Sequence, residues 1–172
     1  MSSPKELKFF VAERNWTKGL EWYESRFAQS GDAVAIGEAS PIYSMAHAFA
    51  GVPERIASLI PDAKLIYVMR HPIERMKSHY LHRVAHGSER RPVERALRES
   101  TGYLNTSRYA YQLEQYLEWF PREQIMLIRS EELRDRRLHT LQRVFGFLNI
   151  DTGWVPLNLQ SESHKTDEKH AP

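Results

Sequence analysis

Apolar positions along the chain fall into two kinds of run. Some are short and unbroken, with the length of a strand; others repeat at helical spacing. Residues 64–70, KLIYVMR, give the clearest strand pattern. Their apolar centre shows no alternation, which predicts burial on both faces in the middle of a parallel sheet. Residues 7–12 (LKFFVA), 33–40 (AVAIGEAS) and 124–130 (QIMLIRS) read as further strands. Amphipathic stretches separate them. Leu20, Tyr23, Glu24 and Phe27 sit at helical spacing within 17–28. Ser40 has the character of an N-cap, with Pro41 at the first helical position. A short helix over 53–60 stops at Pro61-Asp62. A longer one is predicted from Pro72 to Val84, with Ile73, Met76, Tyr80, Leu81 and Val84 facing inward. After a polar loop at 86–92 and a short helix at 93–100, residues 106–121 carry Tyr109, Leu113, Tyr116, Leu117 and Phe120 on one stripe. Residues 136–150 place Leu138, Leu141, Phe145 and Leu148 three and four apart, with Asp135 as the expected N-cap.

Strands alternating with helices predict an α/β fold with a largely parallel sheet. In such sheets ligands bind beyond the carboxyl ends of the strands, where helices begin. Glu38, Arg70, Arg129 and Ser130 each end a predicted strand there. The length of 172 residues favours one domain, read as 1–155 followed by a tail over 156–172.

Composition narrows the chemistry. The chain is 41% hydrophobic, enough for a real core, and has no cysteine, so disulfides, thiolate catalysis and cysteine zinc sites are excluded. No apolar run approaches the ~20 residues of a membrane span. The start, MSSPKELKFF, lacks the basic and apolar regions of a signal peptide, which leaves the cytoplasm as the default location. A net charge of +2 says little about partners, but 70–98 holds eight Arg and Lys against three acids, with His71, His79, His82 and His86 among them. Such a cluster is either a solvated helix face or an anion-binding surface.

The stretch MRHPIERMKSHY sharpens the second possibility. Arg70 leaves the strand at the ligand edge, and Pro72 sets the start of a helix whose free N–H groups favour an anion. Arginine offers a planar fork matched to two phosphate oxygens. Ser78 falls on the flank of the inward stripe, within reach of a group held by Arg70. The two form a candidate phosphate clamp; the alternative is a surface salt bridge beside a neutral serine.

KLIYVMRHPIERMKSHY closely resembles the 3′-phosphate-binding segment of sulfotransferases that use 3′-phosphoadenosine 5′-phosphosulfate (PAPS). The shared pattern is an apolar strand, Arg, one residue, Pro, then Arg and Ser-x-Tyr, with His71 where Asp is usual. KELKFF with WTKGLEWYESRF, then GEASPIY, then residues 107–150 resemble, in the same order, further pieces of the heparan-sulfate-type enzymes. The resemblance implies a parallel-sheet sulfotransferase fold related to P-loop NTPases. It also implies transfer of a sulfuryl group from PAPS to a hydroxyl or amine acceptor, with no metal. By the same resemblance Arg70 and Ser78 hold the 3′-phosphate and Glu6 is the general base. Ala39 stands where the family has a lysine near the reacting centre; Lys5, Lys8 and Lys18 are candidate substitutes.

The family also has a first strand and a loop for the 5′-phosphosulfate, and neither is present in this sequence, nor is any Gly-Lys pair of a Walker loop. The resemblance thus implies a chain truncated at its N-terminus, with Met1 an internal methionine of a longer parent, and little transfer by this chain alone. HKTDEKHAP is read as the start of a cofactor-covering loop, with Lys165 and Lys169 as donor contacts. The acceptor expected by resemblance is a glycan, with lipid or small-molecule alcohols open; nucleic acid is not expected. A non-catalytic fragment or an anion- and nucleotide-binding module is the competing reading, and a nucleotide kinase-like enzyme a distant third.

Overall fold

The computed structural model describes residues 1–157 and 159, so the expectations for Lys165, Lys169 and most of the tail lie outside the described residues. Its centre is a parallel pair of strands, β1 (Leu65–Met69) and β2 (Ile125–Arg129), in register from Leu65 opposite Ile125 to Met69 opposite Arg129. Between them run α3 (Pro72–Ala85), α4 (Val93–Glu99), α5 (Thr101–Asn105) and α6 (Tyr109–Leu117). Two α-helices precede β1, α1 (Gly19–Ser25) and α2 (Val52–Leu59), with short turns of 3₁₀ helix at Trp16–Lys18 and Pro41–Ser44. Two follow β2, α7 (Ser130–Asp135) and α8 (Arg137–Leu148). The α/β class, the parallel pairing and the positions of β1, β2, α3 and α8 agree with the sequence pattern.

Two expected strands are absent among the described residues. Residues 7–12 form turns instead, with Leu7, Phe9, Phe10 and Val11 all buried. Four buried side chains in five positions cannot alternate across a pleat. They pack inward around Phe9, whose ring stacks on Tyr23 at 4.4 Å and touches Phe10, Trp16 and Trp22. Residues 33–40 are irregular, with Val34 88% exposed, because no described strand pairs with them.

Three finer expectations change as well. β1 is not covered on both faces: Ile66 and Val68 are 38% and 47% exposed, while Leu65, Tyr67 and Met69 turn inward. On α3, Ile73 and Val84 point outward, and Arg75, Met76, Ser78, His79, Tyr80 and Leu81 are partly buried. Asp135 ends α7 rather than capping α8, whose cap position is Arg136. The αL residue closing α8 is Asn149, a residue type that tolerates this conformation.

Candidate active site

The site grows from the junction of β1 and α3. Arg70 follows the strand, and Pro72 opens the helix at a position where a missing N–H costs nothing. Tyr109, at the start of α6, grips the junction by donating its hydroxyl to the Arg70 carbonyl at 2.8 Å. Its ring meets that of Tyr67 on β1 edge-on at 5.8 Å. The His71 N–H donates to the Glu131 carboxylate at 3.0 Å. This bond, first among several, holds the Glu131 carboxyl below the usual range. Glu131 on α7 thus receives the backbone N–H beside the helix start, work that the His71 side chain does not perform.

The Arg70 guanidinium leans along α3 toward Glu74, Nη2 to Oε2 at 3.7 Å, with both side chains more than 40% exposed. A pair so long and so wet contributes about 0–1 kcal/mol, so an anion of higher charge displaces Glu74 easily. Ser78 lies one turn beyond Glu74 on the same face. Glu74 and Ser78 therefore share one face of α3, and Arg70, which lies before the helix begins at Pro72, meets that face through Glu74. Ser78 is half-buried, and its hydroxyl has no hydrogen-bond partner among the described residues.

Most other bases of the 70–98 cluster are engaged locally. Arg75 donates to Ser107 Oγ at 2.6 Å, to the Tyr103 carbonyl at 2.9 Å, and approaches His79 Nδ1 at 3.2 Å. Arg91 pairs with buried Glu89 and with Glu99, and Arg95 pairs with Glu99. Arg83 donates to the Ser88 carbonyl. These contacts tie α3, α4 and α5 together. Burial, then the charge of Arg75, pushes His79 down to about 4, so its ring is neutral near pH 7. With a cationic Arg75 donating to it, Nδ1 is the acceptor and the ring proton sits on Nε2.

Glu6 occupies a second part of the site. It is exposed and adopts φ 60°, and Lys8 adopts φ 53°. Left-handed backbone at a residue other than glycine costs about 1–3 kcal/mol and persists only where the surroundings enforce it. The enforcing groups come from 38–43. Ser40 Oγ accepts the Lys8 N–H at 3.0 Å and Tyr43 Oη accepts the Phe10 N–H at 3.3 Å, while the Leu7 N–H lies toward the Glu38 carboxyl. Tyr43 in turn donates to Glu38 Oε1 at 2.7 Å, and Ser40 sits 3.5 Å from Oε2. Burial is the main influence on Glu38 and raises its carboxyl above the ordinary range. Ser40 thus spends its hydroxyl on Lys8 and makes no side-chain cap of the turn of 3₁₀ helix at Pro41–Ser44.

The structure sets Arg70 just before α3 and pairs it with Glu74, which shares a face of that helix with Ser78, but among the described residues no direct contact joins Arg70 or Ser78 to Glu6. The link is indirect: Tyr116 donates to the Tyr43 carbonyl at 2.9 Å, and Ser44 lies beside Tyr67, which meets Tyr109. Of the three candidate replacements for a lysine at 39, Lys18 lies over the Trp22 ring at 4.4 Å. Lys8 has its backbone anchored on Ser40, next to exposed Ala39. Tyr43, Tyr109 and Glu131 were not among the expected site residues. Tyr43 stands inside the GEASPIY stretch, whereas nothing local to Tyr109 or Glu131 signals a partner 39 or 60 residues away. Among the described residues no group of three or more His, Cys, Asp or Glu side chains is arranged to hold a metal, and no helix is long and apolar enough to cross a membrane.

Comparison with known proteins identifies the family. Heparan sulfate glucosamine 3-O-sulfotransferase 5 of Mus musculus is 31% identical over 163 residues, covering 87% of this chain and 46% of the relative. Bifunctional heparan sulfate N-deacetylase/N-sulfotransferase 2 of Homo sapiens is 29% identical over 167 residues, covering 87% of this chain and 18% of the relative. The chain thus spans less than half the length of either. Among solved structures, a sulfotransferase from Alicyclobacillus acidocaldarius superposes with a TM-score of 0.79 at 25% identity, over 96% of this chain and 76% of that one. The family model described as the sulfotransferase domain matches residues 2–169, and the chain belongs to that family.

Proposed function

We propose that this chain carries the 3′-phosphate end of a PAPS site, with Arg70 and Ser78 as its ligands, and that Glu6 is the base for sulfuryl transfer to a glycan hydroxyl or amine. The observation that supports it most is at the start of α3: Arg70, whose guanidinium makes a wet, 3.7 Å pair with Glu74, and Ser78, one turn beyond Glu74, whose hydroxyl has no hydrogen-bond partner among the described residues. These groups suit a phosphate. The fork replaces one exposed carboxylate with a dianion, and the serine adds a neutral donor. The glycan acceptor is supported by relatives whose names specify heparan sulfate. Small alcohols fit the same chemistry.

When bound, PAPS supplies the sulfuryl group, whose sulfur exchanges its bond to the 5′-phosphate oxygen for one to the acceptor. This chain's residues orient and deprotonate. Arg70 and Ser78 fix the nucleotide at its far end, which converts an encounter into a positioned reaction. Glu6 takes the proton of the acceptor hydroxyl or amine as the new bond forms.

The test is radiolabelled sulfuryl transfer from PAPS to an unsulfated heparan-type oligosaccharide. Glu6→Gln is expected to abolish transfer. Robust turnover that Glu6→Gln leaves unchanged contradicts the assignment of the base.

A further inference from the structure

We infer that Glu38, together with Ser40 and Tyr43, is a positioning device for Glu6: a three-point clamp that holds the Glu6–Phe10 backbone in the one conformation that presents the Glu6 carboxylate. The inference rests on the reading of Glu6 as the base and extends it to residues that touch no substrate.

The argument starts from hydrogen-bond accounting. Residues 6–10 belong to no helix or sheet, so their N–H groups need partners elsewhere. Two of them donate to side chains of a single short stretch, Lys8 to Ser40 and Phe10 to Tyr43, and the Leu7 N–H lies toward Glu38 of the same stretch. The three side chains are joined to one another, since Tyr43 donates to one Glu38 oxygen at 2.7 Å and Ser40 lies 3.5 Å from the other. A connected network of this kind defines one geometry better than three separate bonds would. The segment also carries what it must enforce, left-handed backbone at both Glu6 and Lys8. Its other side is fixed too: Asn15 donates to the Leu7 carbonyl at 2.7 Å, and Phe9 and Phe10 are buried in the aromatic cluster. Glu6 alone is left pointing out of this fixed frame, exposed to solvent.

A purely structural role for Glu38 is the competing explanation. A half-buried carboxyl is a poor choice for stability alone, because desolvation works against its charged form. A carboxyl has two oxygens, however, and here it spans the Leu7 N–H, the Tyr43 hydroxyl and the Ser40 hydroxyl at once.

The experiment compares Glu38→Ala, Glu38→Gln and Tyr43→Phe with the parent chain in two readouts. Amide hydrogen exchange is followed by NMR. Glu38→Ala is expected to speed exchange at Leu7, Lys8 and Phe10 at least tenfold, with the amides of β1 and β2 unchanged. Tyr43→Phe, which keeps the buried ring, is expected to speed Phe10 selectively. Sulfuryl transfer is the second readout. Glu38→Ala should lower kcat about tenfold with KM for PAPS within twofold, and Glu38→Gln should recover most of the loss. Unchanged exchange at all three amides, or acceleration spread evenly over β1 and β2, overturns the inference. Should Glu38→Ala fail to fold, Tyr43→Phe decides: exchange at Phe10 equal to that of the parent overturns it. If Glu6→Gln leaves transfer intact while the exchange pattern is as expected, the base assignment falls and the clamp stands.

Discussion

Arg75→Met tests how α3, the helix that carries Ser78, is held in place. Methionine keeps much of the aliphatic stem and removes the guanidinium. Two firm hydrogen bonds go with it, to Ser107 Oγ at 2.6 Å and to the Tyr103 carbonyl at 2.9 Å, along with the contact to His79. The losses are unequal. The Tyr103 carbonyl keeps a second donor, the Ser107 hydroxyl at 3.1 Å, so it is not orphaned. Buried Ser107 loses its charged partner outright. Hydrogen bonds to charged groups contribute about 1.5–3 kcal/mol each, and one full and one partial loss gives roughly 2–4 kcal/mol. Partial exposure of the guanidinium favours the lower half of that range. Urea unfolding at pH 7.5 measures the difference from the midpoint shift at constant slope. The variant has a second signature. Without the neighbouring cation, the His79 ring should titrate above its present value of about 4, yet still below 6.5, because burial is the larger cause of its depression. A stability change under about 0.5 kcal/mol, well below one charged hydrogen bond, together with an unmoved His79 titration, refutes the reasoning.

Two further outcomes are expected. Glu74→Gln frees Arg70 from a pair that contributes about 0–1 kcal/mol, so isothermal titration should show 3′-phosphoadenosine 5′-phosphate (PAP) binding tightened about two- to fivefold with stability nearly unchanged. His79, neutral in the fold and depressed from 6.5 to about 4, contributes stability that is fully present above pH 6.5 and lost as pH falls through that window. Thermal unfolding across pH 4–7 should therefore show a slope that His79→Gln flattens.

Local patterns carried much of this fold. The uninterrupted apolar run at 65–69, with a proline two residues after Arg70, identifies both β1 and the start of α3. The helical spacing of Leu138, Leu141, Phe145 and Leu148 does the same for α8. Failures came where apolar residues serve something other than a pleat. Residues 7–12 look like a strand by composition, yet their hydrogen-bond partners are side chains 32 and 33 positions away, a fact with no local trace. Val34 and Ile36 satisfy an apolar count and remain exposed. The inward face of α3 was misjudged for a related reason. Arg75 and His79 are partly buried because Ser107 and Tyr103 meet them, whereas hydropathy assigns them to solvent. The candidate pair Arg70 and Ser78 was legible only as residue types and spacing around the β1–α3 junction. The groups that hold it, Tyr109 and Glu131, belong to elements brought there only by folding.

The central claim is that Arg70 is the phosphate ligand of a nucleotide site, and titration with PAP tests it most directly. The account predicts weak binding by the parent chain and none by Arg70→Ala, while adenosine 5′-monophosphate, which lacks the 3′-phosphate, does not compete. Binding that persists undiminished in Arg70→Ala contradicts it.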